Sequence, residues 1–341
     1  MSVLHMQLGE HSYDITVERG ALARAGELMR LDRRVLILTD DGVPAQYAQA
    51  VADACREPHI VRLEQGEANK CIEKYTEILR TMVEAGFDRG DCVVAVGGGV
   101  MGDLGGFVAA TYMRGVDFYN VPTTLLSQID SSIGGKVAVD FAGYKNIVGA
   151  FYQPRAVVID PEVLSTLDPR QFACGMAEAI KMFATFDADA FETVEREGKN
   201  VDVDSVIIRA LEIKRDVVEQ DEKEKGLRRV LNFGHTVGHA VESLGEQSDS
   251  PLLHGECVSV GMLCMCEGAV RERIAKTVAH FDLPTTWRGK KDDVIAAMTH
   301  DKKASGDRIT VIKVQKLGSF TEQKMTPTEI AEQSREVITL I

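Results

Sequence analysis

The sequence predicts an α/β domain built on a parallel sheet, followed by a mainly α-helical domain. Two observations carry this. Up to about residue 160, short β-type runs alternate with helical patterns, as strands joined by covering helices do. Beyond Pro161, long helical stretches dominate. A chain of 341 residues is also long for one core and comfortable for two. The domains are therefore expected at 1–160 and 161–341, with the active site in the cleft between them.

Taken in order, residues 3–8 and 13–17 read as a hairpin around Gly9, and 21–29 as a helix. VLILT at 35–39 is an apolar run of strand length, stopped by Asp40, Asp41 and Gly42. A helix over 45–55, a strand over 59–63, a helix over 74–85 and a buried strand at 92–96 follow. The glycines from Gly97 open the next helix. In such sheets ligands bind beyond the carboxyl ends of strands, where Asp40 and the triple glycine both fall. In the second half, helices are expected at 169–198, 203–222, 234–245, 254–275 and 291–300. A single strand is expected at 309–314 and a closing helix over 328–340.

Composition narrows the function classes. Apolar residues make up 45% and charged residues 27%, an ordinary globular balance. A net charge of −13 argues against nucleic acid, whose phosphates are met by basic surfaces. No apolar run approaches the ~18 residues that span a membrane, and the first residues lack the basic and apolar blocks of a signal peptide. The seven cysteines have no framework spacing and read as packed free thiols of a cytoplasmic protein.

GGGVMGD at 97–103 follows a strand and enters a helix, as a dinucleotide fingerprint should. Glycines admit a pyrophosphate close to the backbone, and the helix start supplies free amide donors. The fingerprint alone is weak, since it lies far from the first βα turn. Asp40, able to accept ribose hydroxyls, and the hydroxyls of Thr123 and Thr124 after Pro122 strengthen the case for a Rossmann-like nucleotide site.

His235 and His239 stand four residues apart at helical spacing, so both look into one space. Alone, one of such a pair is more often a packed helix residue. His254 shifts the balance, because a catalytic zinc takes three protein ligands and leaves one position open. His254 and Glu178 are the candidates for the third donor. Lys181, three residues after Glu178, shares its helix face. Arg114, Lys136, Lys145, Lys181, Lys214, Arg228 and Lys302 sit in loops or at helix ends of an otherwise acidic chain. Such a set suits a small substrate bearing phosphate and carboxylate. HTVGH at 235–239 lacks the glutamate of H-E-x-x-H, which argues against a metalloprotease.

These segments together resemble the 3-dehydroquinate synthase family of sugar-phosphate cyclases, from about Asp40 to Lys303. The motifs are long: GGGVMGDLGGFVA at 97–109, TYMRG at 111–115, VPTTLLSQIDSSIGGK at 121–136, KNIVG at 145–149, GMAEAIK at 175–181, LNFGHTVGH at 231–239 and LHGE at 253–256. The resemblance implies Glu178, His235 and His254 as ligands of Zn2+ or Co2+, with His239 beside the substrate. It implies NAD held by Asp40, Glu67, Lys70, the loop Gly98, Gly99, Val100, Met101, Gly102 and Asp103, together with Thr123, Thr124, Lys136, Lys145 and Thr166. Substrate contacts carry over to Asp130, Lys136, Asn146, Lys181, Lys214, Arg228, Asn232, His239 and Lys302. Arg114 would reach the neighbouring subunit's site, which implies a homodimer.

The implied reaction converts 3-deoxy-D-arabino-heptulosonate 7-phosphate to 3-dehydroquinate and phosphate in the shikimate pathway. It runs by NAD-dependent oxidation, phosphate elimination, reduction and aldol closure. Two departures from the family stand out. Gly42 replaces an asparagine of some members, and 261–284 is shorter than expected. The rival readings are a cyclase acting on a substrate without the carboxylate, such as sedoheptulose 7-phosphate, and a metal- and NAD-dependent alcohol dehydrogenase. Lys214, Arg228 and Lys302 favour the carboxylated substrate, and a neutral alcohol would not call for this cationic set.

Overall fold

The apolar runs marked at 35–39 and 92–96 lie side by side inside a seven-stranded sheet. The structure, a computed structural model, describes residues 1–245, 251–300 and 308–340, and divides into two units, Met1–Leu167 and Asp168–Ile341.

The first unit runs β1 (Ser2–Met6), β2 (Tyr13–Val17), α1 (Ala25–Leu28), β3 (Arg34–Asp40), α2 (Ala45–Asp53), β4 (Glu57–Leu63), α3 (Ile72–Glu84), β5 (Cys92–Gly97), α4 (Gly99–Thr111), β6 (Asp117–Pro122), β7 (Lys136–Phe141), β8 (Tyr144–Phe151) and β9 (Ala156–Ile159). The sheet order is β1-β2-β9-β6-β5-β3-β4. Only the β1–β2 hairpin is antiparallel, and the other neighbours pair in parallel.

Burial on both faces explains the continuous apolar runs. Val35, Ile37, Val94 and Val96 pack with Tyr47 and Val51 of α2. Leu36, Leu38, Val93 and Ala95 pack with Ile78, Met82, Leu104 and Val108 of α3 and α4. From β3 the chain steps outward to β4, and β5 then returns to the other side of β3. The winding reverses there, so a crevice opens beyond the ends of β3 and β5. Asp40 and Gly97 are the last residues of those two strands.

β7 and β8 form a separate antiparallel hairpin. Its Val137 and Val139 join the core against α4, where Gly106 has no room for a Cβ, which would fall 2.3 Å from Val137 Cγ1. The predicted helix over 21–29 is a 3-10 turn, Ala21–Arg24, followed by the short α1. The buried carboxylate of Asp160 accepts from the amides of Gly20 at 3.0 Å, Leu22 at 3.1 Å and Glu162 at 3.0 Å, tying that turn to the end of β9.

The second unit comprises α5 (Pro169–Phe186), α6 (Ala188–Glu197), α7 (Val203–Gln220), α8 (His235–Gly245), α9 (His254–Cys264), α10 (Gly268–Ala279), β10 (Trp287–Gly289), α11 (Lys291–His300), β11 (Ile309–Lys313), β12 (Thr321–Met325), α12 (Pro327–Gln333) and β13 (Ile338–Leu340). Two expected helices are each broken in two. Asp187 leaves α5 in an extended conformation and caps α6 by accepting from Ala190 N at 3.0 Å. The stretch over 254–275 stops at Cys264 and restarts at Gly268, whose φ is +52°.

The closing helix is also shorter than expected. It ends at Gln333, and Ile338–Leu340 pairs in parallel with β10. The strand at 309–313 has a partner the sequence analysis missed, because β12 is polar and exposed along most of its length and shows no apolar alternation. Five of the seven cysteines are buried and Cys55 and Cys71 are partly so, all as free thiols. Burial pushes the Cys92, Cys264 and Cys266 thiols up to about 12, which makes them inert packing groups.

Replacing Asp160 by alanine leaves three amides, that of Leu22 buried and those of Gly20 and Glu162 partly so, without their acceptor. Asp160→Ala is expected to destabilise the protein by about 2–4 kcal/mol in denaturant unfolding; a loss under about 0.5 kcal/mol would show that water replaces the carboxylate.

Candidate active site

Local sequence sets the ends of the helices that carry the site. Asp168 caps α5 by accepting from the amides of Arg170 at 2.9 Å and Gln171 at 3.3 Å, with Pro169 at the first helical position. α9 begins at His254, and the Glu256 carboxylate accepts from Leu253 N at 2.7 Å. Arg170 grips the same carboxylate with two nitrogens, each at 2.6 Å. The starts of α5 and α9 are thus pinned together by a bidentate pair.

Glycine then allows the helices to close. A Cβ at Gly255 would lie 2.4 Å from Cys174 Cα in α5, and one at Gly261 would lie 1.9 Å from the carbonyl oxygen of Gly234. Gly234 itself has φ +80° and immediately precedes His235.

Where α5, α8 and α9 meet, ligand atoms of Glu178, His235 and His254 lie within 4.8 Å of one another. Glu178 Oε1 is 3.6 Å from His235 Nε2 and 3.3 Å from His254 Nε2. Lys181, one turn along α5, ion-pairs with Glu178 Oε2. Only 1% of the Glu178 side chain is exposed. Both of its oxygens nevertheless lack a hydrogen bond of good geometry. A buried carboxylate in that condition is costly unless a cation completes it, and one carboxylate with two imidazoles is a donor set for zinc or cobalt.

The electrostatics follow from the same contacts. Burial alone would raise the Glu178 carboxyl, but Lys181 and His254 hold it down to about 2. Burial, helped by Lys181 and the two other imidazoles, drives His235 well below its usual range and keeps it neutral for donation. Burial opposes a proton on His254 as well, yet Glu178 and Glu242 raise it to about 10. A metal entering the cluster therefore displaces that proton.

The i, i+4 histidines do not act as a pair. Their rings are 5.2 Å apart, but His239 groups with Glu242 and His254 and not in the set of Glu178, His235 and His254. Lys214 on α7 and Arg228 in the turn Leu227–Asn232 are buried cations. Both elements pack against α5, the helix of Glu178 and Lys181. Arg228 donates from Nη1 to the Glu222 carbonyl at 2.6 Å, and Asn232 Nδ2 donates to Glu224 Oε1 at 2.8 Å. Lys302 lies outside the described residues. Glu242 and the Arg170–Glu256 clamp escaped the sequence analysis. Glu242 was within reach of it, being three residues after His239 and seven after His235 on one helix face.

In the first unit, the glycine loop and Asp40 converge at the strand ends. A Cβ on Gly97 would sit 3.8 Å from Asp40 Oδ2. Burial raises the Asp40 carboxyl, opposed by amide donation from Gly42 and Val43. A Cβ on Gly98 or Gly99 would press within 3.2 Å of Thr124 Cγ2 or Ser131 Oγ respectively. Bare backbone thus lines the start of α4, with Val100, Met101, Gly102 and Asp103 in its first turn.

Thr123 N donates to the Gly97 carbonyl at 2.9 Å, and the Thr124 hydroxyl pairs with Ser127 at 2.8 Å, starting the π-turn that bears Asp130. Buried Lys70 pairs with Glu67 and lies 3.5 Å from Asp103. Thr166 bonds the Tyr47 hydroxyl at 3.0 Å. Lys136 opens β7, and Lys145 and Asn146 stand exposed on β8. Arg114 is on an exposed turn at φ +72°. A Cβ on Gly42 would fall 2.4 Å from the Gln65 side chain, which packs against this glycine.

A parallel α/β unit with a bare-backbone loop at its strand ends, joined to a helical unit with a buried carboxylate–imidazole cluster, defines a class of proteins made to hold a nucleotide and a metal. Comparison with known proteins narrows it. Residues 60–174 match the family model for the 3-dehydroquinate synthase N-terminal region, and 175–304 that for its C-terminal region. A 3-dehydroquinate synthase of Pelobacter propionicus is 42% identical over 97% of this chain and 98% of its own. Among solved structures, 2-deoxy-scyllo-inosose synthase, complexed with carbaglucose-6-phosphate, NAD+ and Co2+, superposes with a TM-score of 0.87 at 26% identity, over 98% of this chain and 100% of that one. The 2-epi-5-epi-valiolone synthase of Streptomyces hygroscopicus, with NAD+ and Zn2+ bound, gives 0.86 at 27% identity, over 97% and 98%. The chain belongs to the 3-dehydroquinate synthase family.

Because Gly261 touches the backbone just before His235, any side chain there must push α8 and α9 apart. Gly261→Ala is expected to destabilise by at least about 1–3 kcal/mol and to lower bound zinc per chain; full zinc content with an unchanged melting temperature would refute this account of the packing.

Proposed function

We propose that this protein is a 3-dehydroquinate synthase acting on 3-deoxy-D-arabino-heptulosonate 7-phosphate. The observation that carries the reading is the Glu178 carboxylate, buried without hydrogen bonds and faced by two imidazoles and a lysine. Membership of the family supports it across nearly the whole chain. Glu178, His235 and His254 would hold Zn2+ or Co2+, and Asp40, Lys70, the loop from Gly98 to Asp103, Thr123 and Thr124 would hold NAD. Bound, the metal supplies a Lewis acid for a substrate hydroxyl, and NAD a hydride acceptor that is regenerated within each turnover.

The chain's own residues do the rest. Lys181, buried beside Glu178, presents a fixed positive charge to whatever the cluster holds. Lys214 and Arg228 are buried cations in an acidic protein, suited to the phosphate and carboxylate of the substrate. His239 stands next to His254, outside the Glu178, His235 and His254 set, where it can bind a substrate hydroxyl. Such preformed charge in a water-poor site stabilises developing negative charge without reorganisation. The free thiols fit a cytoplasmic enzyme, and no helix among the described residues is long and apolar enough to cross a membrane.

A homodimer is part of the proposal, with Arg114 reaching the neighbouring site. Among the described residues, β8 pairs with β7 alone, at the edge of a two-stranded sheet. Phe141, Tyr144, Ile147 and Phe151 on this hairpin are 41–54% exposed. Long apolar edges are normally covered. The Arg114 turn adjoins the hairpin, since Tyr152, just after β8, donates its hydroxyl proton to the Val116 carbonyl at 2.7 Å.

Phosphate release from the heptulosonate phosphate should proceed for many turnovers with substoichiometric NAD and stop with a chelator or in Glu178→Ala. Stoichiometric NADH accumulation, or equal rates on sedoheptulose 7-phosphate, would overturn the assignment. Light scattering should give the parent twice the 37.3 kDa chain mass and Ile147→Glu/Phe151→Asp the single mass with unchanged circular dichroism; a monomeric parent at micromolar concentration would refute the dimer.

A further inference from the structure

We propose that Glu242 is the positioning residue that aims His254 at the metal, by accepting the proton on Nδ1 of its imidazole. The inference rests on Glu178, His235 and His254 being the ligands. Glu242 Oε2 lies 3.3 Å from His254 Nδ1. An ionised carboxylate can only accept, so this contact places the proton on Nδ1 and leaves the Nε2 lone pair free. Nε2 is the atom that faces Glu178 Oε1 at 3.3 Å. One contact therefore sets both the tautomer and the direction of the ring.

His235 is served in the same way by a different group. Its Nδ1 lies 3.2 Å from the Phe233 carbonyl, an acceptor only, and its Nε2 faces the same oxygen of Glu178 at 3.6 Å. Backbone anchors one imidazole and Glu242 the other. His254 has the greater need of an anchor, since it is the first residue of α9 and 34% of its side chain is exposed. With no acceptor its broad χ2 well would let the ring turn away. Outer carboxylates on ligating imidazoles fix orientation and raise basicity, and losing one weakens metal binding by about 10–100-fold.

Glu242 also groups with His239 and His254 as a possible cation position. That use would spend His254 Nδ1 on a second ion and remove the anchor, so the two roles exclude each other and differ in stoichiometry.

The test titrates metal-free full-length protein with Co2+, following its visible absorption, with melting of the metal-free form as control. One equivalent is expected for the parent. Glu242→Ala should bind about 10–100-fold more weakly with an unchanged metal-free melting temperature. Glu242→Gln, whose amide oxygen still accepts from Nδ1, should recover most of the affinity. Unchanged affinity in Glu242→Ala overturns the proposal, as does the loss of a second equivalent with the first intact. Should Glu242→Ala melt early, Glu242→Gln decides: affinity near the parent's supports the role, and a loss equal to that of His254→Ala overturns it. If the parent and Glu178→Ala bind Co2+ alike, the ligand assignment fails as well, and the proposal with it.

Discussion

The second unit is organised around one buried carboxylate. Glu178 sits in the middle of a helix whose neighbouring side chains are apolar or small, and a charge in that setting must be matched. Lys181 balances one oxygen and two imidazoles turn toward the other. These contacts are electrostatic without being hydrogen bonds of good geometry. The arrangement has the form of a coordination shell, and the rest of the unit serves to bring its donors together. The Arg170–Glu256 clamp fixes where α9 starts, and glycines at 234, 255 and 261 remove the side chains that would keep three helices apart.

The acidic balance of the chain and the cationic character of its site are two sides of one design. A net charge of −13 keeps the surface from recruiting phosphate polymers. Lys181, Lys214 and Arg228 meanwhile lie inside the helical unit, where screening by salt is weak. The first unit repeats the pattern on a smaller scale. Burial would discharge Lys70, but Asp103 and Glu67 outweigh it and keep the ammonium charged. Charge is thus buried where opposite charge or backbone amides hold it, as at Lys70 and at Asp160.

How much of this was legible follows from which signals are local. β3 and β5 were read correctly because burial on both faces demands an unbroken apolar run. The hairpin of β1 and β2 and the helices α2 and α3 were likewise visible within a residue or two at most ends. β12 and β13 were not, since a polar edge strand and a three-residue parallel strand acquire their conformation from partners distant in sequence. The breaks after Phe186 and Cys264 were missed for a related reason. Each interrupts an apolar pattern whose helical phase continues across the gap. In the site, spacing along one helix placed Lys181 beside Glu178 and His239 beside His235. Spacing could not decide which histidine meets Glu178, because that depends on how α8 crosses α5 and α9.

That crossing divides the labour along α8. His235, His239 and Glu242 lie on one stripe, but each meets a different depth of the cluster. His235 is deepest, against Glu178, neutral and held by its own backbone. Glu242 is furthest along the helix and meets the cluster at His254 Nδ1. His239 lies between them, with its ring 5.2 Å from one imidazole and 5.9 Å from the other, and with no share in the Glu178 donor set. A group so placed is near the proposed metal position without belonging to its donor set. That position suits a residue that must meet a bound substrate. The helical repeat alone, three and four residues at a time, is enough to set the proposed ligand, substrate contact and positioning group in sequence on a single face.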